Sequence, residues 1–214
     1  MRVSGRLQKI AHMVKYSSVA DIGTDHGYLP IFLMQNGLAE RALAADVNPG
    51  PLESAQRNIN EAGLGGPITT RLCNGLDCID PADYEACVIS GMGGGLIIDI
   101  LRQNLEVAQS FKQLLLSPQR DVPDVRRFLH QHGFCINDEY MLEEKGKMYN
   151  ILDVSPGVEP EYDGAGYAFG AILINKKSEI LRKYINIELN KAKKIEQHKF
   201  ERYIQLCEEV LKCL

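Results

Sequence analysis

Hydrophobic and polar positions along the chain alternate between two patterns, short apolar runs and amphipathic segments. The segments between the runs carry apolar residues at helical spacing, and three of them have Pro near the start and Gly at the end. Strands that alternate with helices predict a doubly wound, mainly parallel sheet in an α/β fold. The predicted strands are SVADI (18–22), RALAADV (41–47), ITTRLC (68–73), ACVIS (86–90) and KQLLLS (112–117).

The pattern differs at the two ends of this α/β segment. Before the first strand, residues 7–14 have helical spacing and Ser4 is a candidate N-cap. Asp121 is expected to cap the last helix of the sheet region. Two strand-like runs follow, at 136–144 and 148–155, and a Lys-Gly turn separates them. This arrangement predicts an antiparallel hairpin at one edge of the sheet.

The final part of the chain has a different composition. The segment SPGVEPEYDGAG is rich in Pro, Gly and acids, which predicts a linker, and the 39 residues 176–214 contain neither Gly nor Pro. Their apolar residues lie near a seven-residue repeat that charged residues interrupt, which fits one long helix or two helices in a hairpin. We therefore expect an α/β domain over residues 1–160 and a helical domain over residues 161–214, with the hairpin favoured.

Charge and hydropathy add expectations about location and partners. No run of 18 apolar residues occurs, and the N-terminal segment lacks the apolar core of a secretory signal, so a cytoplasmic protein without a membrane span is expected. The net charge of −4 is unevenly distributed, because residues 176–214 hold ten Lys or Arg and only six Asp or Glu. Four basic residues also precede the first acid, Asp21. Basic ends fit contact with nucleic acid, although solvated helices also carry Lys.

The cysteines are scattered through apolar surroundings, without a CxxC pair and without a nearby His cluster. We therefore expect free thiols, and neither a metal site nor a disulfide. The six positions are Cys73, Cys78, Cys87, Cys135, Cys207 and Cys213.

The stretch DIGTDHGYLP (21–30) contains the clearest candidate chemistry. The first strand ends there in an Asp-x-Gly turn before a helix, which is typical of nucleotide binding. The turn lacks the small second residue and the third Gly of GxGxxG, and Asp25 beside a pyrophosphate would cost roughly 3 kcal/mol at about 5 Å. A nicotinamide oxidoreductase is therefore disfavoured. S-adenosylmethionine fits better, because it has no phosphate and its ammonium and sulfonium would be attracted to acids.

Further candidates follow the next three strands in order. Asp46 ends the second strand, 25 residues after Asp21, where an acid can accept hydrogen bonds from ribose hydroxyls. Asn74 and Gly75 follow the third strand, where a polar side chain can meet the edge of adenine. The SGMGGG turn (90–95) follows the fourth, and its glycines allow a ligand to approach the backbone. Each feature alone also fits a helix cap or an ordinary turn.

Four elements, DIGTDHGYLP, ISGMGGGLI, LLLSPQ and LEEKGKMYNIL, together resemble the bacterial tRNA (adenine-22-N1)-methyltransferase family, and the resemblance covers the whole chain. It implies a Rossmann-like class I methyltransferase domain with a seven-stranded sheet, and a C-terminal helical hairpin similar to a coiled coil. It also implies methyl transfer from S-adenosyl-L-methionine to N1 of adenine 22 in tRNA. The chain departs from the expected pattern at Asn74, where Asp is usual, and at Gln119, where we expect Asn.

Site roles follow from these motifs. Asp25 is the candidate catalytic group, because N1-methylated adenine is cationic and a nearby carboxylate stabilises the developing charge. Contact of Asp25 with the cofactor alone is the alternative. Tyr28 is expected to stack on the base or donate a hydrogen bond, and Tyr149 is a further candidate unless it only packs at the sheet edge. The expected cofactor-binding residues are Asp21, Gly23, Thr24, His26, Gly27, Asp46, Val47, Asn74, Gly75, Gly91, Met92 and Gly93.

Two other functions remain compatible with the sequence. A class I methyltransferase acting on a small molecule or a protein would use the same cofactor and would not need basic ends. A non-catalytic RNA-binding or cofactor-sensing module would bind its ligand without turnover. The expected partner is tRNA, with no membrane and no metal, and a monomer is favoured.

Overall fold

The computed structural model describes residues 3–80, 82–194 and 200–214. Its centre is a seven-stranded sheet with the order β3-β2-β1-β4-β5-β7-β6. The strands are β1 Ser18–Ile22, β2 Arg41–Asp46, β3 Ile68–Leu72, β4 Ala86–Ser90, β5 Gln113–Ser117, β6 Phe134–Glu144 and β7 Lys147–Pro156. The helices are α1 Gly5–Met13, α2 Tyr28–Gln35, α3 Pro49–Glu61, α4 Gly94–Gln103, α5 Leu105–Ser110, α6 Val122–Gln131, α7 Ala171–Asn175, α8 Glu179–Lys194 and α9 Glu201–Cys213.

The pairing of the strands confirms the doubly wound, mainly parallel sheet. β1 pairs in parallel with β2 and β4, and β5 continues the parallel part beside β4. β7 runs antiparallel to both β5 and β6, so the predicted hairpin forms one edge. The strand order reverses between β1 and β4, and ligands of open α/β sheets bind in the crevice at such a reversal.

Local sequence signals explain most of the helix ends. The Leu7 N–H donates to Ser4 Oγ at 3.2 Å, which confirms the predicted cap of α1. Asp121 occupies the N-cap position of α6, but the prediction that its side chain caps the helix is wrong. Its carboxylate lies 3.5 Å from Arg120 Nε instead. α2 begins at Tyr28, so Pro30 lies within its first turn, where a missing N–H costs nothing.

The expectation of six free thiols is wrong for one pair. Cys73 and Cys78 form a disulfide, because the short loop after β3 folds back and brings their Cα atoms to 5.7 Å. Among the remaining four, Cys87 and Cys207 are buried free thiols, whereas Cys213 is exposed.

The C-terminal helices share a hydrophobic cluster with the edge of the sheet. α8 and α9 are separate helices that pack against each other, and Lys193 Nζ of α8 lies 2.7 Å from Glu208 Oε1 of α9. The segment that would join the two helices in the predicted hairpin includes residues 195–199, which lie outside the described residues. The predicted domain boundary between residues 160 and 161 stays a prediction, because the hydrophobic cluster contains residues from both sides of it. Its buried members include Met141 of β6 together with Phe169, Leu173, Leu181, Ile185, Leu189, Cys207 and Val210.

A buried ion pair lies where the sheet meets the C-terminal part. Arg126 Nε of α6 donates to Glu139 Oε1 of β6 at 2.6 Å, and both side chains are almost fully buried. Arg126 Nη1 also donates to the carbonyl of Tyr167, which lies in a π-helical turn, Gly166–Gly170. Gly170 has a φ of +92°, and a Cβ there would lie 2.5 Å from Glu139 Oε2. Only glycine fits at this position without displacing the ion pair.

We predict that Glu139→Gln lowers the free energy of unfolding by about 3–5 kcal/mol, because the change leaves the Arg126 charge buried without its counter-ion. The measurement is urea unfolding followed by circular dichroism. Asp124→Asn is the matched control, since Asp124 pairs with Arg127 at the surface and its loss should cost less than about 1 kcal/mol. Equal losses in the two variants would contradict this reading of the buried pair.

Candidate functional site

A cavity of about 430 Å³ opens at the carboxyl ends of β1, β2 and β4, where the strand order reverses. Chain segments distant in sequence meet there, because the carboxyl ends of parallel strands lie at the same edge of the sheet. Most of the predicted site residues line this cavity. They are Asp21, Gly23, Thr24, Asp25, Tyr28, Asp46, Val47, Asn74, Gly75, Gly91 and Met92.

Three predicted cofactor-binding residues, His26, Gly27 and Gly93, lie outside the cavity lining. The carbonyl of His26 accepts a hydrogen bond from Asn58 Nδ2 at 2.9 Å, so this part of the turn faces α3. A Cβ added at Gly27 would lie 3.3 Å from Cβ of Ala55, which shows that Gly27 serves close packing on α3. Gly93 is the N-cap of α4. Cofactor contact by these three residues stays a prediction.

The turn after β1 is held by backbone hydrogen bonds to β2. The N–H groups of Gly23 and Thr24 both donate to the carbonyl of Ala45, at 2.8 and 3.0 Å. Gly23 has a φ of +72°, and a Cβ there would lie 2.8 Å from Met92 Cε. Any side chain at this position would therefore clash with Met92 in the loop after β4. The two amides are therefore engaged within the protein, and the turn does not present them to a phosphate.

Asp21 is a buried carboxylate at the end of β1. Thr24 Oγ1 donates to Asp21 Oδ2 at 2.7 Å. Burial, assisted by the nearby carboxylates of Asp46 and Asp25, raises the pKa of Asp21 from 3.8 to about 7. The Thr24 hydrogen bond and the Arg6 guanidinium act in the opposite direction on the same pKa. A cation bound in the cavity would therefore favour the ionised form of Asp21.

Asp46 and its neighbours form the wall at the end of β2. Asp46 is mostly buried, and its Oδ1 accepts a hydrogen bond from the Asn48 N–H at 2.8 Å. That bond fixes the carboxylate and leaves its other oxygen available to a ligand. Val47 and Leu96 line the same cavity and are 56% and 54% exposed. Exposed aliphatic side chains on both sides of a cavity suit a flat, apolar ring system.

The loop after β3 holds Asn74 through a chain of side-chain contacts. Asn74 Nδ2 donates to Asp77 Oδ2 at 3.1 Å, and Asn104 Nδ2 donates to Asp77 Oδ1 at 2.7 Å. Gly75 has a φ of +58° and packs against Ile100. This network fixes the side chain of Asn74, which lines the cavity.

The rim of the cavity carries Asp25 and Tyr28. The Asp25 side chain is 77% exposed, and its Oδ1 lies 3.2 Å from His26 Nε2. The ring of His26 stacks on Tyr28 with 5.4 Å between centroids. Asp25 and His26 have positive φ values of 25° and 66°, which non-glycine residues rarely adopt. Such local strain is often found at functional sites.

Among the cavity residues that sequence reasoning missed, Gln119 and Arg6 make the most informative polar contacts. Gln119, after β5, donates through Nε2 to the Gly91 carbonyl at 2.6 Å, and its N–H donates to the Met92 carbonyl at 2.9 Å. Arg6 reaches the cavity from α1, with its guanidinium 5.2 Å from the centroid of the Tyr149 ring. The only sequence signals were the position of Gln119 after a strand and the basic character of the first helix. Other lining residues missed are Leu7, Ile22, Leu29, Asn48, Cys73, Ser90, Leu96 and Ile100.

The arrangement suits a ligand with cationic groups, hydroxyls and a flat ring, and the Gly23 and Thr24 amides are not free to bind a pyrophosphate. In the described part of the chain, no cluster of three or more His, Cys, Asp or Glu is arranged to hold a metal ion. None of the described helices is long and apolar enough to cross a membrane.

A family model and a relative from Bacillus subtilis match this chain under the same description. The family model for tRNA (adenine(22)-N(1))-methyltransferase matches residues 19–212. The chain is 34% identical over 201 residues to the Bacillus subtilis tRNA (adenine(22)-N(1))-methyltransferase, covering 91% of this chain and 84% of the relative.

Two solved structures are similar over nearly the whole chain. Streptococcus pneumoniae Sp1610 in complex with S-adenosyl-L-methionine is 34% identical with a TM-score of 0.93, covering 98% of this chain and 100% of that one. M. capricolum TrmK in complex with S-adenosyl-homocysteine is 25% identical with a TM-score of 0.87, covering 100% of this chain and 99% of that one.

The buried Asp21 generates a prediction about the pH dependence of stability. Because its pKa is about 7 in the folded protein and 3.8 is its ordinary value, the folded state binds a proton that the unfolded state has lost between these pH values. Folding stability from this group therefore falls as pH rises from about 4 to 7. Relative to wild type, Asp21→Asn should gain stability across this range, on the order of a few kcal/mol in free energy of unfolding.

Urea unfolding of both proteins at several pH values between 5 and 8 measures this difference. The Asn side chain keeps an oxygen that can accept the Thr24 hydrogen bond, so the variant isolates the charge. Parallel stability profiles for the two proteins would show that Asp21 is ionised throughout, and the prediction would be wrong.

Proposed function

Because the chain belongs to the tRNA (adenine(22)-N(1))-methyltransferase family, we propose that the cavity at the ends of β1, β2 and β4 is its catalytic site. The protein is an S-adenosylmethionine-dependent enzyme that methylates N1 of adenine 22 in tRNA. The observation that carries the placement is the meeting of two buried acids, Asp21 and Asp46, at adjacent strand ends of one cavity.

The residues of the cavity fit this cofactor in one orientation across the strand ends. When bound, S-adenosylmethionine supplies an electrophilic methyl group on a cationic sulfur. The free oxygen of Asp46 is suited to accept a hydrogen bond from the ribose diol at the end of β2. Val47 and Leu96 supply apolar walls for adenine near Asn74, after β3. Asp21, at the end of β1, attracts the cationic part of the ligand, and burial makes this attraction stronger than it would be in water.

Asp25 and Tyr28 are proposed to act on the target base at the rim. N1 of adenine carries a lone pair and needs no general base before it attacks, so catalysis consists mainly of positioning. The base becomes cationic as the N1–carbon bond forms, and the Asp25 carboxylate stabilises that charge. The exposure of Asp25 supports this role, because the group is accessible to a large substrate from solvent. Tyr28 lies beside it and offers a ring for stacking.

A second cleft adjoins the cavity and offers a path for the RNA. It has a volume of about 720 Å³, lies between the sheet edge and the C-terminal helices, and shares Gln119 with the cavity. Tyr149, Tyr184 and Tyr203 line it together with basic side chains, and aromatic rings stack on unpaired bases. Adenine N1 lies on the Watson–Crick edge, so the base must be unpaired before it can react.

The basic tail contributes less free charge to RNA binding than its composition indicates. Lys176 pairs with Asp138, Lys183 with Glu143 and Lys193 with Glu208. Two of these pairs join the C-terminal part to β6, so some tail lysines hold the fold together. Among the basic residues that line the cleft, Lys191 pairs with Glu188 and Arg120 lies near Asp121. Lys147 forms no ion pair within the described residues, so phosphate contact in this proposal falls first to Lys147.

We further propose that the enzyme acts as a monomer in the cytoplasm. A tRNA substrate supports the cytoplasmic location. A single mass of 23.9 kDa in light scattering of purified protein is the expected result for a monomer.

Asp46→Ala is expected to weaken S-adenosylhomocysteine binding by about 1–3 kcal/mol, the scale for loss of hydrogen bonds to a charged acceptor. Isothermal titration calorimetry measures the change. Asp99→Ala is the control, because Asp99 is an exposed acid of α4 outside the cavity lining. Unchanged affinity in a folded Asp46→Ala protein would remove Asp46 from the cofactor site.

Asp25→Asn is expected to reduce turnover while affinity for the cofactor stays within about tenfold, because the charge matters most in the transition state. Methylation at N1 blocks base pairing, so primer extension on treated tRNA should stop beside position 22 only when the cofactor is present. The Asn variant should give a weaker stop at equal enzyme concentration. Full turnover by Asp25→Asn would limit Asp25 to a structural role in the turn.

A further inference from the structure

Arg6 is a cation without a counter-ion in the proposed cofactor site. Its side chain lines the cavity, and its Nη1 atom is buried and makes no hydrogen bond in the structure. No ion pair joins it to a carboxylate anywhere in residues 3–80, 82–194 and 200–214. A buried guanidinium nitrogen without a partner carries a desolvation cost, which a bound anion would remove.

The position of Arg6 is fixed by the fold. The guanidinium packs on the Tyr149 ring of β7, 5.2 Å from its centroid, and a Cβ added at Gly91 would lie 3.6 Å from Nη2. Arg6 and Asp21 both line the cavity, and the guanidinium lowers the pKa of the Asp21 carboxyl. The guanidinium therefore lies at the end of β1 and β4, above the glycine turn that follows β4.

The strand order identifies which part of the cofactor reaches this place. Adenine near Asn74 lies at β3 and the ribose near Asp46 lies at β2, so the amino-acid end extends toward β1 and β4. That end of S-adenosylmethionine carries one ammonium and one carboxylate, and the carboxylate is the only anion of the molecule. Asp21 and Arg6 present the complementary pair of charges on this side of the cavity.

We propose that Arg6 binds the carboxylate of the cofactor's amino-acid end and thereby orients the sulfur, while Asp21 receives the ammonium. The inference rests on the proposed cofactor site and adds a residue from the first helix to it. Arg6 is a positioning residue in this role, because it does not touch the reacting methyl group. A guanidinium suits the task, since its planar fork can donate two parallel hydrogen bonds to a carboxylate.

The test removes the carboxylate from the ligand and the guanidinium from the protein in turn. Calorimetry compares S-adenosylhomocysteine with its decarboxylated analogue, which keeps the adenosine, the sulfur and the amine. Wild type should bind the analogue about tenfold to hundredfold more weakly. In Arg6→Gln the two ligands should bind within about threefold of each other. Lys9→Gln is the matched control, because Lys9 lies on the same helix over the Tyr140 ring and should keep the wild-type ratio.

Each outcome decides the proposal. Equal binding of the two ligands by wild type overturns it without any variant, and so does an unchanged ratio in Arg6→Gln. If Arg6→Gln weakens tRNA binding and leaves the ratio unchanged, the anion is an RNA phosphate and the proposal is wrong. If Arg6→Gln does not fold, Arg6→Lys replaces it. The supporting result is then a ratio of affinities, S-adenosylhomocysteine over its decarboxylated analogue, at least threefold below the ratio in wild type. Failure of the cofactor site itself is distinguishable, because Asp46→Ala would then leave affinity unchanged.

Discussion

The site depends on one backbone oxygen, the carbonyl of Ala45 in β2, which accepts hydrogen bonds from the N–H groups of Gly23 and Thr24. These two bonds bend the chain toward β2 as it leaves β1, and they set the directions in which Asp21 and Asp25 enter the cavity. They also engage the amides that a phosphate would otherwise use. In the proposed site the turn would contact its ligand through side-chain carboxylates, which is compatible with acids at its centre.

Burial of Asp21 links ligand binding to the stability of the fold. Removing a carboxylate from water disfavours its charge, and Asp46 nearby adds to that effect. A cation bound beside Asp21 would favour its ionised form, and such binding would stabilise the folded protein. Sites that bind charged ligands commonly hold such unfavourable arrangements. Here the buried charge belongs to Asp21, at the end of a central strand of the sheet.

The C-terminal part is joined to the catalytic region through buried contacts. The Arg126–Glu139 pair connects α6 and β6 and reaches the π-helical turn before α7. Met141 of β6 belongs to the same hydrophobic cluster as the C-terminal helices. β6 pairs with β7, and β7 pairs with β5, so the C-terminal helices are connected through the sheet to the loop after β5. In that loop, Gln119 donates a hydrogen bond to the carbonyl of Gly91. The cavity and the second cleft therefore meet at the loop after β5, where Gln119 lines both.

Sequence alone determined the alternation of strands and helices, the parallel sheet and the acids Asp21 and Asp46, because periodicity and strand-end residues are local properties and parallel strands end at one edge. Only the tertiary structure decided which neighbours of these acids face the cavity. His26 and Gly27 follow Asp25 directly, yet the His26 carbonyl bonds to Asn58 and Gly27 packs on Ala55, both in α3. Arg6 comes from a helix that precedes the sheet, and only chain packing brings it to β1 and β4. The physical reason is that hydrophobic periodicity depends on neighbours along the chain, whereas proximity across the sheet depends on how all the strands and helices pack together.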